Sequence, residues 1–254
     1  MNEEQFLRLE RLIGKENIQN LHKKHVTVVG CGAVGGYAFE SLVRCGVGNI
    51  RVVDFDTFCF SNINRQILAT YNSVGKKKVF VAKERALDIY PNCNVEAVDA
   101  FVNDENYCEI TKNSDLILDC IDSVNSKIGL ISYCVNNNIP IISSMGAALR
   151  RDPSLIQYST IKDTWGCPLA RQVRTGLRKR NVSLDVMCVF SPEKVDFNYR
   201  AVDDESALEE DQAIKRKKIV LGSLVTITAI FGEMMAHLAL SKLLGSKNFE
   251  GIKA

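Results

Sequence analysis

Apolar residues in the first half of the chain alternate between short continuous runs and helical spacings. Residues 25–29 form a run rich in β-branched residues that ends at Gly30, and residues 33–44 follow with a period near 3.6. The same alternation predicts strands over 49–54, 95–100, 116–120 and 140–143, and helices over 74–89 and 123–136. Such alternation indicates an α/β fold with a mainly parallel sheet and helices on both faces.

The two ends of the chain have different patterns. Helical spacing predicts two short helices before Leu21. Beyond Met145 the alternation stops, and a basic stretch at 171–180 and an acidic stretch at 203–211 indicate an irregular C-terminal lobe and a mobile loop. The apolar run 219–232 has 14 residues, which favours a buried helix over a membrane span. We expect a single domain over 1–254, divided into halves 1–145 and 146–254.

Composition narrows the class of protein. Charge is nearly balanced, with 32 Lys and Arg against 30 Asp and Glu, so any anionic partner must be met by local patches. The nine cysteines include no C-x-x-C pair, which argues against a structural zinc site. The first residues lack signal-peptide character, and the odd cysteine count suits a reducing compartment. We therefore expect a cytoplasmic protein.

Gly30, Gly32 and Gly35 form a G-x-G-x-x-G motif between a predicted strand and a predicted helix. Backbone amides and a helix N-terminus can cradle phosphate there, as in Rossmann-like folds. Asp54 ends the next predicted strand, where a carboxylate accepts hydrogen bonds from ribose hydroxyls. At this point NAD and ATP are equally compatible with the motif.

The following segment favours ATP. The chain has D-x-D at 54–56, then S-N-x-x-R-Q at 61–66, a lysine at 78 shortly after a glycine, and D-x-x-D-S at 119–123. Together these motifs resemble the adenylation site of the ThiF/MoeB and ubiquitin-activating superfamily. The resemblance covers roughly residues 11–144.

The resemblance implies a role for each matching position, with ATP and Mg²⁺ as cofactors. Asp54 and its neighbour Asp56 would contact the nucleotide, Asp54 at the ribose. Phosphate contacts and a magnesium ligand would come from four residues: Asn62, Arg65, Lys78 and, for the metal, Asp122. Arg11 resembles an arginine that reaches the ATP of a partner subunit, which implies a homodimer.

The chemistry of acyl-adenylation agrees with these residue types. An ionised carboxylate attacks the α-phosphorus, while cations stabilise the charge that builds on pyrophosphate, so no general base is required. The resemblance therefore implies catalytic roles for Arg65, Lys78, Asp122 and Arg11.

The whole chain resembles the TcdA branch, the tRNA threonylcarbamoyladenosine dehydratases. The matching segments are N-x-N-R-Q at 62–66, P-L-A at 168–170 and C-V-F-S at 188–191, and the missing C-x-x-C pairs depart from MoeB and ThiF. This resemblance implies a ligase- or cyclase-type reaction in which ATP adenylates the threonyl carboxylate beside the tRNA anticodon. The nucleoside's carbamoyl group then displaces AMP and closes a ring.

Other readings stay open. One is an enzyme that adenylates the C-terminus of a ubiquitin-like sulfur-carrier protein; others are an inactive nucleotide-binding partner and an NAD oxidoreductase. Substrate contacts are also open: Arg171, Arg174 and Arg178 share a predicted helical face that suits tRNA phosphates or plain solvent. Cys167 is expected to be a dispensable core residue. A monovalent cation, a sulfur-relay protein and the role of 203–211 are left undecided.

Overall fold

The computed structural model describes residues 3–196, 208–211, 216–219 and 221–245 of the 254-residue chain. The α-helices are α1 Leu7–Ile13, α2 Lys15–Leu21, α3 Gly35–Arg44, α4 Lys78–Ile89, α5 Tyr107–Thr111, α6 Val124–Asn136, α7 Pro168–Lys179 and α8 Val225–Leu244. The strands are β1 His25–Val29, β2 Asn49–Val53, β3 Asn94–Val98, β4 Leu116–Asp119, β5 Ile141–Ser144, β6 Gln157–Thr160, β7 Met187–Phe190, β8 Leu208–Asp211 and β9 Arg216–Ile219.

Seven of these strands form one sheet in the order β3-β2-β1-β4-β5-β7-β6. Every neighbouring pair is parallel except β6 and β7, which are antiparallel. The order reverses direction between β1 and β4, and in open parallel sheets ligands bind in the crevice at such a point. The predicted α/β fold class is confirmed, and a ligand site is expected in the crevice between β1 and β4.

Helices cover both faces of the sheet. One apolar cluster joins α3, α4 and α8 to β1, β2 and β4. Two further clusters contain the buried residues of α5, α6 and α7 on the other side. Strands buried on both faces need nearly continuous apolar sequence, and all four residues of β4 are buried.

Helix α8 is apolar and long enough to cross a membrane. Its buried residues Ile227, Phe231 and Met235 belong to the same cluster as α3 and the central strands, and the helix packs on α3. Gly232 lies at this crossing: a Cβ there would be 2.6 Å from the carbonyl oxygen of Val34. In the described part of the chain α8 is thus a core helix, as its apolar run predicted.

The region after Met145 contains more regular structure than its sequence pattern indicated. Strands β6 and β7 extend the main sheet beyond β5, and α7 packs on α6. These strands are only four residues long, and β6 consists of Gln, Tyr, Ser and Thr, so neither gives a clear apolar alternation. Because β5 pairs with β7, the sheet is continuous across the division at residue 145.

Most predicted bounds differ from the observed ones by one or two residues, and two segments differ more. Helix α4 begins at Lys78 rather than at 74, because Gly75 has a φ of +84° and Lys77 forms an antiparallel bridge with Thr57. In the acidic stretch, residues 203–207 lie outside the described residues, while 208–211 form β8, which pairs with β9.

The close crossing of α8 and α3 generates a prediction. Gly232→Ala would place its methyl group against backbone atoms that cannot rotate away. We expect the free energy of unfolding to fall by about 1–3 kcal/mol, although Ala is the better helix former. Urea unfolding measures this, with Thr226→Ala on the exposed side of α8 as the control. Equal stability of Gly232→Ala and the wild-type protein would contradict the crossing geometry.

Candidate active site

The glycine loop lies at the carboxyl end of β1, beside the connection between β4 and α6. Gly30 has a φ of +89°, and a Cβ at this position would be 2.9 Å from the carbonyl oxygen of Cys120. A Cβ on Gly35 would overlap the carbonyl oxygen of Gly30. These two glycines are therefore required by the packing of the loop itself.

Gly32 differs from its two neighbours in the motif. The nearest atom to a Cβ at Gly32 would be Nε2 of Gln66, at 4.0 Å. The packing of the protein therefore does not explain why this residue is glycine. Close approach of a ligand to the backbone does explain it, as at the second glycine of dinucleotide-binding loops.

Asp54 joins the end of β2 to the glycine loop. Its Oδ2 accepts a hydrogen bond from the backbone N–H of Cys31 at 2.7 Å, and its Oδ1 accepts one from the N–H of Asp56 at 2.8 Å. Burial raises the pKa of Asp54 above its usual value, and the nearby Lys78 cation opposes that rise. A carboxylate has about four acceptor positions, so two remain for ribose hydroxyls.

Lys78 is the buried cation of the site, at the first residue of α4. Its side chain is 6% exposed, and its Nζ donates to Oδ2 of Asp56 at 2.8 Å. Burial alone would lower the pKa of Lys78, but the charges of Asp54 and Asp56 and this hydrogen bond raise it above the usual value. The lysine is therefore a permanent positive charge beside the glycine loop.

Asn62 and Arg65 come from the segment between β2 and α4. Asn62 is buried in a 3-10 turn, where its Oδ1 accepts from the N–H of Cys59 at 3.3 Å. Arg65 is half-buried, and its Nη1 donates to the carbonyl oxygen of Ser61 at 2.7 Å and to Oδ1 of Asn64 at 3.0 Å. These local bonds fix the direction of the guanidinium.

Gln66 belongs to the same motif but received no role from the sequence. It is 6% exposed, and its Oε1 has no hydrogen-bond partner within the described ranges. Its Nε2 faces Gly32. A buried polar atom without a partner costs about 1–3 kcal/mol, which a bound ligand can offset.

Asp122 is exposed in the connection at 120–123, which faces the glycine loop through Cys120. Below it lies a cluster that the sequence analysis missed: Lys127, Asp119 and Ser143, all fully buried. Asp119 ends β4 and Ser143 lies opposite it in β5. The register of β4 and β5 brings Asp119 and Ser143 together, and the packing of α6 on these strands adds Lys127.

The structure does not bring every predicted residue to this crevice within one subunit. Arg11 is exposed on α1, a helix with no buried residue, which packs on α2 and the turn before it. On α7, Arg171 and Arg178 are exposed, but Arg174 turns inward and donates to the carbonyl oxygen of Thr164 at 2.7 Å. The three arginines therefore do not form a single solvent-facing set.

Cys167 lies apart from the glycine loop. It is 3% exposed and stands at the N-cap position of α7, where its side chain makes no capping hydrogen bond.

The crevice residues fit a nucleoside triphosphate. Gly32 leaves room for close approach, Lys78 and Arg65 supply positive charge, and the Oε1 of Gln66 is without a partner. The described residues contain no group of three or more His, Cys, Asp or Glu side chains that could hold a metal ion. Magnesium typically binds through one or two carboxylates together with substrate phosphates, and Asp122 alone is compatible with that arrangement.

Comparison with known proteins places the chain among adenylating enzymes. The chain is 36% identical to the tRNA threonylcarbamoyladenosine dehydratase of Bacillus subtilis over 250 residues, covering 98% of both chains. It is 34% identical to the Escherichia coli enzyme of that name, covering 95% of this chain and 94% of the relative. The structure of E. coli TcdA in complex with ATP superposes with a TM-score of 0.84 at 33% identity, covering 98% and 97% of the two chains.

Over part of its length the chain is also similar to molybdopterin-synthase adenylyltransferases. The molybdopterin-synthase adenylyltransferase of Haemophilus influenzae is 33% identical over 157 residues, which is 60% of this chain and 64% of the relative. The model of the ThiF family matches residues 5–252. With its glycine loop, Asp54 and Lys78 assembled at the switch point of the sheet, this chain belongs to the ThiF family.

Proposed function

We propose that this protein uses ATP to dehydrate threonylcarbamoyladenosine in tRNA to its cyclic form, through an acyl-adenylate. The observation that carries the proposal is the nearly full-length likeness to TcdA, whose structure has been determined with ATP and with AMP. The arrangement of the glycine loop, Asp54 and Lys78 supports the same activity.

The residues around the crevice have separate roles in the formation of the acyl-adenylate. Asp54 holds the ribose, and the backbone amides of the glycine loop at the N-terminus of α3 face the phosphates. Asn62, Arg65 and Lys78 direct their donors at the phosphates. Lys78 stays charged while pyrophosphate leaves, because the two aspartates beside it raise its pKa. Each donor aimed at developing charge is worth about 2.7–4 kcal/mol in the transition state.

Magnesium, held by Asp122 and carried by the phosphates, would supply further neutralisation of the leaving pyrophosphate. The threonyl carboxylate is already ionised at neutral pH, so it attacks the α-phosphorus without a protein base. The carbamoyl group of the same nucleoside then attacks the activated carbonyl carbon and AMP leaves. Both reacting groups belong to one substrate, so proximity replaces an enzyme nucleophile, and Cys167 has no covalent role in this scheme.

A second candidate function is adenylation of the C-terminus of a ubiquitin-like sulfur-carrier protein. The molybdopterin-synthase adenylyltransferases favour it, but they align with only about 60% of this chain. The sequence also lacks the C-x-x-C pairs of that group. Release of pyrophosphate from ATP that depends on a protein ending in Gly-Gly would support the alternative.

The proposal also includes the oligomeric state of the protein and its contacts with tRNA. The active species is a cytoplasmic homodimer in which Arg11 completes the ATP site of the partner subunit. Helix α1 suits an interface, because Leu12 is 80% exposed and Leu7 is 45% exposed. Arg171 and Arg178 contact tRNA phosphates, whereas Arg174 supports α7 through Thr164. A sulfur-relay protein and a monovalent cation stay possible additions to this assembly.

The direct test of the function is mass spectrometry of nucleosides from tRNA that carries threonylcarbamoyladenosine. Incubation with this protein, magnesium and ATP should convert the nucleoside to a product lighter by one water. Conversion should require ATP. An unchanged mass of the nucleoside after incubation with folded protein that binds ATP would refute the proposal. It would favour the sulfur-carrier substrate.

Lys78 provides a test of the charge argument. Lys78→Ala should lower kcat/KM for ATP by about 10²–10³-fold, because it removes a buried donor aimed at the leaving phosphates. Lys76→Ala is the matched control: it removes an exposed lysine two positions earlier and should leave kcat/KM nearly unchanged. Equal losses in the two variants would contradict the assignment.

The shared site is tested by mixing inactive variants. Arg11→Ala and Lys78→Ala homodimers should each be inactive, since each lacks one half of both sites. A mixture allowed to exchange subunits should regain activity, because a heterodimer contains one site with both residues intact. No recovery, when exchange has been verified by mass spectrometry, would show that Arg11 does not act across an interface.

A further inference from the structure

A fully buried ion pair lies beneath the connection that carries Asp122. Nζ of Lys127 is 2.7 Å from Oδ2 of Asp119, and both side chains have no exposed surface. Ser143 completes the group: its Oγ donates to Oδ2 of Asp119 at 2.6 Å and lies 3.2 Å from Nζ of Lys127. These three polar groups satisfy one another inside an otherwise apolar layer.

Stability alone is a weak reason for such a pair. Desolvation of two charges offsets most of their attraction, and apolar replacements of buried pairs are often neutral or stabilising. The neighbouring strand and helix positions Leu118, Leu130 and Ile131 are fully buried and apolar, so both elements accept apolar residues at buried positions. The position of the pair in the fold therefore needs another explanation.

The pair spans the connection between β4 and α6. The second oxygen of Asp119, Oδ1, accepts a hydrogen bond from the backbone N–H of Ile121 at 3.1 Å. On the other side, the backbone N–H of Lys127 donates to the carbonyl oxygen of Ser123 at 3.0 Å, which is the first-turn bond of α6 and does not involve the Lys127 side chain. Asp122 lies between these two attachment points. The chain before it is held by the Asp119 carboxylate, and the Lys127 ammonium holds that carboxylate in turn.

The same connection supports the glycine loop. The N–H of Cys120 donates to the carbonyl oxygen of Val29 at 2.8 Å. A Cβ on Gly30 or Gly35 would contact Cys120 at 2.9 Å or 3.1 Å. Movement of residues 120–123 would therefore displace Asp122 relative to the phosphate-binding backbone.

We propose that Lys127 and Asp119 are positioning residues, which hold residues 120–123 so that the Asp122 carboxylate meets magnesium carried by ATP. The inference rests on the proposed function, since it assumes that the crevice binds ATP with magnesium. It assigns no contact with substrate to Lys127 or Asp119. Their effect passes through Asp122.

The test uses ATP binding rather than turnover. The double variant Asp119→Leu with Lys127→Met replaces the pair with apolar residues of similar size and should stay folded. In calorimetric titrations with ATP in EDTA, the double variant should bind ATP with the same affinity as the wild-type protein. In titrations with ATP and magnesium, the affinity of the double variant should be lower than that of the wild-type protein by about tenfold or more. The reason is that the acceptor for the Ile121 N–H is gone and Asp122 is displaced.

Two controls separate positioning from general destabilisation. Leu116→Ala weakens the same strand at its other end, so it should lower the melting temperature without changing the affinity for ATP with magnesium. Asp122→Asn by itself should abolish the gain in ATP affinity that magnesium gives. Adding Asp119→Leu and Lys127→Met to this variant should not lower the affinity for ATP with magnesium any further.

A milder variant covers the case in which the double variant does not fold. Ser143→Ala keeps the ion pair and removes the two hydrogen bonds of the Ser143 hydroxyl, so it should lose about threefold in affinity for ATP with magnesium and none in EDTA. Wild-type affinity of the double variant for ATP with magnesium would overturn the inference, as would wild-type affinity of Ser143→Ala if the double variant is unfolded.

The behaviour of the wild-type protein separates the two proposals. No gain from magnesium would overturn the inference and leave ATP binding intact. No ATP binding at all would refute the proposed function, and the inference with it.

Discussion

The carboxylate of Asp54 is the contact on which the site depends. One of its oxygens holds the glycine loop after β1 and the other holds the chain after β2. These two strands are neighbours in the sheet, so a single buried side chain sets the distance between the phosphate-binding backbone and the segment that leads to Lys78. Burial raises its pKa, and the adjacent lysine opposes that rise.

Charge compensation extends from this contact across the crevice. Lys78 is stabilised as a cation by Asp54 and Asp56, and on the other side of the switch point Lys127 is balanced by Asp119. Lys78 lies beside the glycine loop at the crevice, whereas Lys127 and Asp119 are completely buried. The proposed chemistry uses this division, because phosphate needs a cation at the crevice and a metal-binding carboxylate needs a rigid support.

The sequence predicted those parts of the fold and site that are encoded by neighbouring residues. The glycine motif, Asp54 at a strand end and the alternation of β1 through β5 all follow from local spacing. The cluster of Lys127, Asp119 and Ser143 did not follow, because Lys127 and Ser143 are 8 and 24 residues from Asp119 in sequence. They meet it only through the packing of α6 on the sheet and the pairing of β4 with β5. Helical spacing also placed Arg174 with Arg171 and Arg178, whereas its guanidinium bonds to Thr164. Strand β6 is built from polar residues without a strand pattern, and β7 is an apolar run of only four residues, so both take their place from pairing, β6 with β7 and β7 with β5.

The central claim is that a carboxylate of tRNA is activated as an acyl-adenylate in this crevice. ATP–pyrophosphate exchange measures that step alone, since labelled pyrophosphate enters ATP only when adenylation is reversible on the enzyme. We predict exchange with tRNA that contains threonylcarbamoyladenosine and none with the same tRNA lacking the threonylcarbamoyl group. Exchange that ignores this group, or that requires a carrier protein ending in Gly-Gly instead, would contradict the account.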